Sequence, residues 1–553
     1  MPPAHKATGQ ADLSVPDLVG LLASKEPHAV LDVRERGEYI LGHIAGSTNL
    51  PRGQLELRLP TIIRKRDVPI VFYCDDGHRS SLARSTAADL GYTDVRTLAG
   101  GLATWKAEGQ EVAYGVNVIG KDYGERLAVQ RRIPQITPDQ LEELRQDRNV
   151  LLLDVRDPAE YEAEGHIAGA HNVPGGELTT TVLSQLLGDA PPETVVVNCA
   201  GRTRSIVGTD LLISFELGNV QALENGTMAW LMSGRELEQG PDPRPLPAPT
   251  AAARERAASL ASRAADAEGL GHIDVEPLLS RIDEGDLLYV LDVRTRPEFE
   301  KERIAGAVSC PAGQLTNYLD DTVPVRQALV VCYSDDDTRS KFAVRTLRGI
   351  GYPHAVWLRG GLNEWRRAGA LTTHGRNAER AGDAESRASA GDRVGLISVE
   401  EMFSPDSAVR PRRIVDVRRS CDYITGHIPH AVWVPRGDLE RRVGRHVVAM
   451  DDVVVVSDDQ EHAVLAASTL RAIGYSRVRV LEGGVTAWAT GGHPLAEGSD
   501  GADINLLQAR EEADLVGHGP EELRRTHADM VRYLHWEERL GDKYRSGGPP
   551  SQG

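Results

Sequence analysis

The sequence predicts an α/β protein made of four tandem copies of one domain, each a mainly parallel sheet flanked by helices on both faces. Three observations carry that prediction. The chain repeats itself four times, its strand segments are apolar throughout, and those strands alternate with helical segments.

The repeat is legible at both ends of each unit. Near the start stands an aliphatic run ending in Asp-Val-Arg: VLDVRERGEYILGHIAGSTNLP from Val30, LLDVRDPAEYEAEGHIAGAHNVP from Leu152, VLDVRTRPEFEKERIAGAVSCP from Val290 and IVDVRRSCDYITGHIPHAVWVP from Ile414. Near the end stands a glycine-tryptophan motif: AGGLATW to Trp105, ENGTMAW to Trp230, RGGLNEW to Trp365 and EGGVTAW to Trp488. The Asp-Val-Arg motifs begin at Asp32, Asp154, Asp292 and Asp416, about 120–140 residues apart, a domain-sized period.

Within copy one, PHAVLDVR reads as a buried strand and RGEYILG as a short helix. STNLP is a second strand, followed by a helical stretch from Gln54 to Lys65. VPIVFYC is a continuous apolar strand, leading into a helix from Arg79 to Leu90. DVRTLAG and GLATWKAEG complete the unit as strand and helix. Ligands of such sheets bind beyond the carboxyl ends of the strands, so the segment after VPIVFYC is where chemistry is expected.

The copies are expected at 12–116, 135–240, 271–373 and 395–497. Residues 241–270 form a Pro-rich linker, PDPRPLPAPTAA, and an Ala/Arg-rich helix expected to be exposed. Residues 374–394 read as a flexible polar linker, and 498–553 as a helical tail. The tail's amphipathic segment, EELRRTHADMVRYLHWEERL, is expected to pack on a neighbouring domain and to do no more.

Composition narrows the function. With 63 Lys and Arg against 81 Asp and Glu, the net charge is -18, which argues against binding to nucleic acid or acidic membranes. No apolar stretch approaches the roughly 20 residues that span a bilayer, and MPPAHKATGQADLS lacks the apolar region of a secretory signal. The five cysteines, Cys74, Cys199, Cys310, Cys332 and Cys421, are odd in number, far apart and without a CxxC pair. Neither disulfides nor a metal site is expected, and a reducing cytoplasm suits them.

Two of the cysteines end an apolar strand, four residues before an arginine. Copy one reads Cys74-Asp75-Asp76-Gly77-His78-Arg79-Ser80, and copy two Cys199-Ala200-Gly201-Arg202-Thr203-Arg204-Ser205. A loop that short must curl, turning backbone N–H groups towards the sulfur beside a helix N-terminus. Bringing a thiol from about 8.5 to about 6.5 takes roughly 2.7 kcal/mol in favour of the thiolate. A helix terminus gives about 0.3–1 kcal/mol, so N–H bonds and the arginine must contribute the rest. Arg202 and Arg204, with no acid in their loop, favour an anionic donor at Cys199. Asp75 and Asp76 are expected to weaken anion capture at Cys74.

Taken together, Asp-Val-Arg, Glu-Tyr-x-x-Gly-His-Ile-Ala-Gly, Cys-x4-Arg-Ser and Gly-Gly-x-x-x-Trp resemble the rhodanese family of sulfurtransferases over nearly the whole chain. The resemblance implies four rhodanese-like domains and a cysteine that takes sulfane sulfur from a donor such as thiosulfate. The resulting persulfide hands its sulfur to cyanide, a thiol or a protein acceptor, without cofactor or metal. Phosphatases of similar fold carry Cys-x5-Arg, one residue longer, so the loops here favour sulfur transfer over phosphoryl or arsenate chemistry. A persulfide carrier or sensor, and a non-catalytic scaffold, are the alternatives.

Copies three and four carry Ser334 and Ser457 in place of the cysteine, and copy four has His462 in place of the arginine. A serine hydroxyl is too weak an acid to ionise in such a loop, and no paired base is evident, so both read as silent. Cys310 and Cys332 read as core residues and Cys421 as a partly exposed thiol. Asp32, Arg34 and Glu38, with Asp154, Arg156 and Glu160, are expected to fix the first strand-helix corner. His43, His166 and His427 are expected to pack rather than react, and the four tryptophans to anchor cores.

Overall fold

The computed structural model describes residues 12–375, 394–403, 412–515 and 519–545. In copy one, Ala29–Asp32 lies between Thr48–Asn49 and Ile70–Tyr73, and Val95–Thr97 flanks the latter. Every pairing is parallel. Side chains alternate between two cores. Leu31, Ile70 and Phe72 enter one, while Val30, Val71 and Tyr73 enter the other. That is why these strands are apolar at every position rather than at every second one.

Copies two, three and four add a fifth parallel strand beside the last one, at Gln135–Ile136, Gly271–Ile273 and Gly395–Ile397. In copy one a single bridge from Leu13 to Leu98 marks the same place. The short helices fall where the sequence expects them, at Arg36–Ile40, His78–Asp89 and Gly101–Ala107. The Gln54–Lys65 stretch is divided into a 3-10 turn, Arg52–Gln54, and a helix ending at Ile62.

Two connecting segments differ from expectation. The Ala/Arg-rich helix, Ala251–Ala267, is not exposed along its length. Ala253, Ala257, Leu260 and Ala261 form a buried stripe against Leu183 and Phe342, seated between copies two and three. Small side chains at helical spacing let the helix approach closely. Most of the polar linker, 376–393, lies outside the described residues, but its first residues do not dangle from copy three. His374 Nδ1 lies 2.6 Å from the Lys301 carbonyl, and Gly375 N–H donates to the Glu300 carbonyl.

The copies pair in a nested order. Copy one meets copy four, where Gly53 faces Gly437 and Arg436 ion-pairs with Glu56 at 2.6 Å. Copy two meets copy three, where Gly175 faces Gly313 and Arg339 ion-pairs with Glu177. A Cβ on Gly175 or Gly313 would collide with the facing glycine, and one on Gly53 would crowd Gly437 N at 3.1 Å. Each cysteine copy thus meets a serine copy in this way, and copy one also shares a core with copy three, where Arg36 ion-pairs with Asp321 at 2.9 Å and Tyr289 donates to the Ile62 carbonyl at 2.8 Å.

The tail crosses both pairs. Its helix Leu506–Ala513 runs against Arg36–Ile40 and Ser420–Thr425, with Gln508 over Gly37. Its helix His527–Arg539 reaches copy two and the connector helix Val118–Gln130. Among the described residues no helix is long and apolar enough to cross a membrane.

Candidate active site

In copy one the strand Ile70–Tyr73 delivers Cys74, fully buried, to the floor of the loop. The chain turns at Gly77, whose φ of 93° suits glycine, and enters the helix His78–Asp89. Gly77 N–H donates to Cys74 Sγ at 3.2 Å, and Ser80 Oγ lies 3.7 Å from the sulfur. The thiol donates to Asp76 Oδ1 at 3.6 Å, which also accepts His78 N–H at 3.0 Å. That backbone bond holds the Asp76 carboxyl below its usual range.

Arg79 does not turn to the sulfur. Its guanidinium takes both oxygens of Glu38, at 2.7 and 2.6 Å, and Asp75 at 3.1 Å. Burial alone would raise the Glu38 carboxyl, and the fork from Arg79 brings it below its ordinary value. Arg34 bonds Asp32 and reaches Asp75 at 2.9 Å. Of the expected cradle, Asp76, Gly77 and Ser80 surround the sulfur, Asp75 and Arg79 brace the corner, and His78 is exposed.

Copy two is built on the same frame and differs at its rim. Cys199 Sγ lies 3.5 Å from Ser205 Oγ, which donates to the Arg202 carbonyl at 2.8 Å. Arg204 grips Glu160 at 2.5 and 2.7 Å and reaches Gln314 of copy three at 3.3 Å. Burial works against the Arg204 charge, while Glu160 and, more weakly, Cys199 favour it, leaving it firmly protonated.

The acid-free loop expected here acquires acids from elsewhere in the chain. Arg202 is bonded to Glu125 of the connector helix at 2.6 and 3.0 Å, and to Glu538 of the tail at 3.3 Å. Thr203 Oγ1 donates to Glu537 at 2.5 Å. Tyr533 and Leu534 stand over Gly201. Arg202 is therefore spoken for, and Cys199 is not an arginine-rich pocket open to anions. The tail helix packs on the domain, as expected, but it does so on the loop that carries the sulfur.

The glycine four residues before each motif tryptophan has a physical reason. Gly101, Gly226, Gly361 and Gly484 all have φ between 52° and 60°. A Cβ on each would strike the carbonyl oxygen of Cys74, Cys199, Ser334 or Ser457 in turn. The tryptophans are buried, and each Nε1 donates to a carbonyl six residues on, as Trp105 does to Glu111 and Trp230 to Glu236. His43 stacks on Tyr39 at 3.8 Å and bonds its carbonyl, and burial lowers its pKa to about 3. It is a neutral packing group, as expected. Arg303, in the corresponding place of copy three, donates to the carbonyls of Phe299 and Gly375.

Copy three repeats the frame of copy one around Ser334, with Arg339 on Glu298 and Asp336 accepting Thr338 N–H at 2.9 Å. Copy four contradicts the absence of a paired base: His462 Nδ1 lies 3.3 Å from Ser457 Oγ. Burial and Arg436 hold His462 down to about 4, so it is neutral at pH 7. The pair lines a cleft of about 1030 Å³ between copies one, three and four. Cys421 is buried, not partly exposed, because the tail covers it, and burial with nearby Glu512 pushes the thiol up to about 12. Cys310 and Cys332 are core residues, and burial pushes Cys310 up to about 12. Among the described residues no cluster of three or more His, Cys, Asp and Glu is arranged to hold a metal ion.

Sequence reasoning missed Glu125, Glu537 and Glu538. The one signal for Glu537 and Glu538 was the amphipathic tail segment, whose acidic end had no assigned neighbour, and Glu125 of the connector helix had none.

A parallel sheet covered on both faces, with a sulfur on the floor of a loop at the end of its central strand, defines a class of α/β domain that does chemistry at the strand's carboxyl end. The rhodanese-like domain model matches residues 14–108, 137–233, 274–368 and 398–490, and the chain belongs to that family. The crystal structure of a thiosulfate sulfurtransferase from Pseudomonas aeruginosa superposes with a TM-score of 0.83. It is 31% identical, and the match covers 97% of this chain and 98% of that one. A putative thiosulfate sulfurtransferase of Mycobacterium tuberculosis, SseB, is 30% identical over 222 residues, 31% of this chain and 73% of its own length. The human thiosulfate:glutathione sulfurtransferase is 35% identical over 109 residues, 18% of this chain and 94% of its own.

Proposed function

We propose that this chain is a sulfurtransferase that carries sulfane sulfur as a cysteine persulfide on Cys74 and Cys199. The observation behind it is a loop of rhodanese length holding a buried sulfur, with Gly77 N–H directed at Cys74 Sγ, in a chain similar along its length to a thiosulfate sulfurtransferase. In the first half-reaction the thiolate attacks the outer sulfur of thiosulfate. The S–S bond breaks and sulfite leaves with its electron pair. In the second, cyanide or a thiolate attacks the terminal sulfur of the persulfide, and the cysteine thiolate is restored. Gly77 N–H, Ser80 and Ser205 stabilise the sulfur anion between the two.

Copy one is the better thiosulfate site in this reading. Asp75 is held by Arg34 and Arg79, and the loop's Asp75, Asp76 and His78 face water. The loop of copy two is covered. Copies three and four brace the cysteine copies and do no transfer. A reducing cytoplasm suits five unpaired thiols.

Mass spectrometry after thiosulfate treatment tests the proposal. One added sulfur atom on Cys74 supports it, and no adduct on either cysteine defeats it. Turnover with cyanide then separates an enzyme from a persulfide carrier.

A further inference from the structure

The four loops share a feature that the sequence shows in only three of them. In copies one, three and four, the residue two beyond the cysteine or serine is an aspartate. Its carboxylate sits at the rim and accepts an N–H from the start of the following helix. Asp76 takes His78 N–H, Asp336 takes Thr338 N–H, and Asp459 takes Glu461 and His462 N–H. In copy one that carboxylate also meets the sulfur. Copy two has Gly201 at this position and no side chain to do the same.

Glu537 fills that place from the other end of the chain. A Cβ built on Gly201 would lie 3.6 Å from Glu537 Oε2. Glu537 Oε1 accepts from Thr203, the residue that corresponds to His78. Glu537 is 1% exposed, and its Oε2 has no hydrogen-bond partner. The charged groups around it are Arg202, bound to Glu125 and Glu538, and Lys121, whose ammonium bonds Tyr533 at 2.5 Å. The helix is held by Met530 and Leu534 packing on Met228, and just beyond its end Tyr544 donates to Asp122 at 2.6 Å.

We infer that Glu537 is the rim carboxylate of the Cys199 site and determines its specificity, disfavouring anionic reactants and admitting uncharged ones. Unlike Asp76, it has no hydrogen bond to a backbone N–H, and its second oxygen is left unpartnered beside Gly201. The inference deepens the proposed function and rests on Cys199 being a nucleophile.

The test is alkylation of the full chain with two reagents alike except for charge, iodoacetate and iodoacetamide. Each forms an S–C bond as iodide leaves with its electron pair. Rates at Cys199 and Cys74 are read separately from peptide masses. In Glu537→Gln, which keeps an oxygen for Thr203, the iodoacetate-to-iodoacetamide rate ratio at Cys199 rises by roughly fivefold or more, as removal of one nearby charge predicts. The ratio at Cys74 does not move. Leu534→Ala loosens the helix without changing charge, so it speeds both reagents and leaves the ratio alone.

An unchanged ratio in Glu537→Gln overturns the inference, as does the same ratio change in Leu534→Ala. A Cys199 inert to both reagents in the wild type and in Glu537→Gln also overturns it, because the tail is then a plug and not a selector. Failure of the proposed function is a different result: no thiosulfate adduct on either cysteine while the alkylation ratios still shift.

Discussion

Copies one and two carry the same sulfur on the same loop length, and the two loops live in different surroundings. Around Cys74 most of the charges are local: Asp75 and Asp76 come from the loop itself and Arg79 is matched to Glu38, with Asp438 of copy four further off at 4.0 Å. Around Cys199 they are remote, since Glu125, Glu537 and Glu538 arrive on a connector and a tail. The Asp75 side chain is 52% exposed, whereas Arg202, one residue further along its loop than Asp76 is along its own, is 5% exposed. A short motif fixes where the nucleophile stands, while distant segments decide what reaches it.

The strongest way to break this comparison is to remove each sulfur in turn. Cys74→Ala is expected to lower thiosulfate:cyanide turnover by more than about tenfold, and Cys199→Ala by less than about threefold. Steady-state rates check this, and the reverse order would sink the distinction between an open and a roofed loop.

Next come the braces. Arg79→Ala leaves Glu38 without its cation, while Asp75 keeps Arg34, and a loss of roughly 3–4 kcal/mol of local stability is expected. Arg204→Ala strands Glu160 alone, with a smaller loss of roughly 2–3 kcal/mol. Hydrogen exchange of the Ile70–Tyr73 and Thr194–Asn198 strands would measure both, and equal losses would remove this difference between the loops.

Gly101→Ala and Gly226→Ala sharpen what the loops share. Each places a Cβ against the carbonyl of its cysteine at a positive φ, so each costs roughly 1–3 kcal/mol and lowers persulfide yield at its own cysteine only. Peptide-resolved sulfur adducts would show whether the damage stays local.

A last effect, read through pH, concerns Glu35, beside the contact of copies one and four. Burial first, then Glu38 and Glu512, pushes its carboxyl up to about 8. In the unfolded chain it titrates near 4.3, so the folded state holds the proton more tightly. Stability from this group is therefore fully present below about pH 4 and is lost as pH rises towards 8. Glu35→Gln should flatten that loss, read as a smaller drop in thermal midpoint between pH 5 and pH 8.

Much of this was legible in the residues. The parallel sheet covered on both faces follows from strands such as VPIVFYC, which are apolar on both faces because helices cover both. The loops Cys74–Ser80 and Cys199–Ser205 could be located because a strand-loop-helix corner is contiguous in sequence. What was not legible depends on contacts between residues hundreds of positions apart. Arg202 reads as a free cation until Glu125 is found beside it, and Cys421 reads as accessible until the tail is laid across it. His462 reads as a lost arginine, and only the fold shows it bonded to Ser457.

The nested pairing has a consequence for how the molecule is made. Copy one leaves the ribosome first, yet the groups that meet its Arg52 and Glu56, namely Glu440 and Arg436, are translated near the end. Copies two and three, adjacent in the chain, can dock as soon as both have emerged. Biogenesis should therefore pass through a stage in which copies one, two and three are assembled and the flank of copy one that meets copy four stays bare. A stop codon just before Arg436 would strand the chain there.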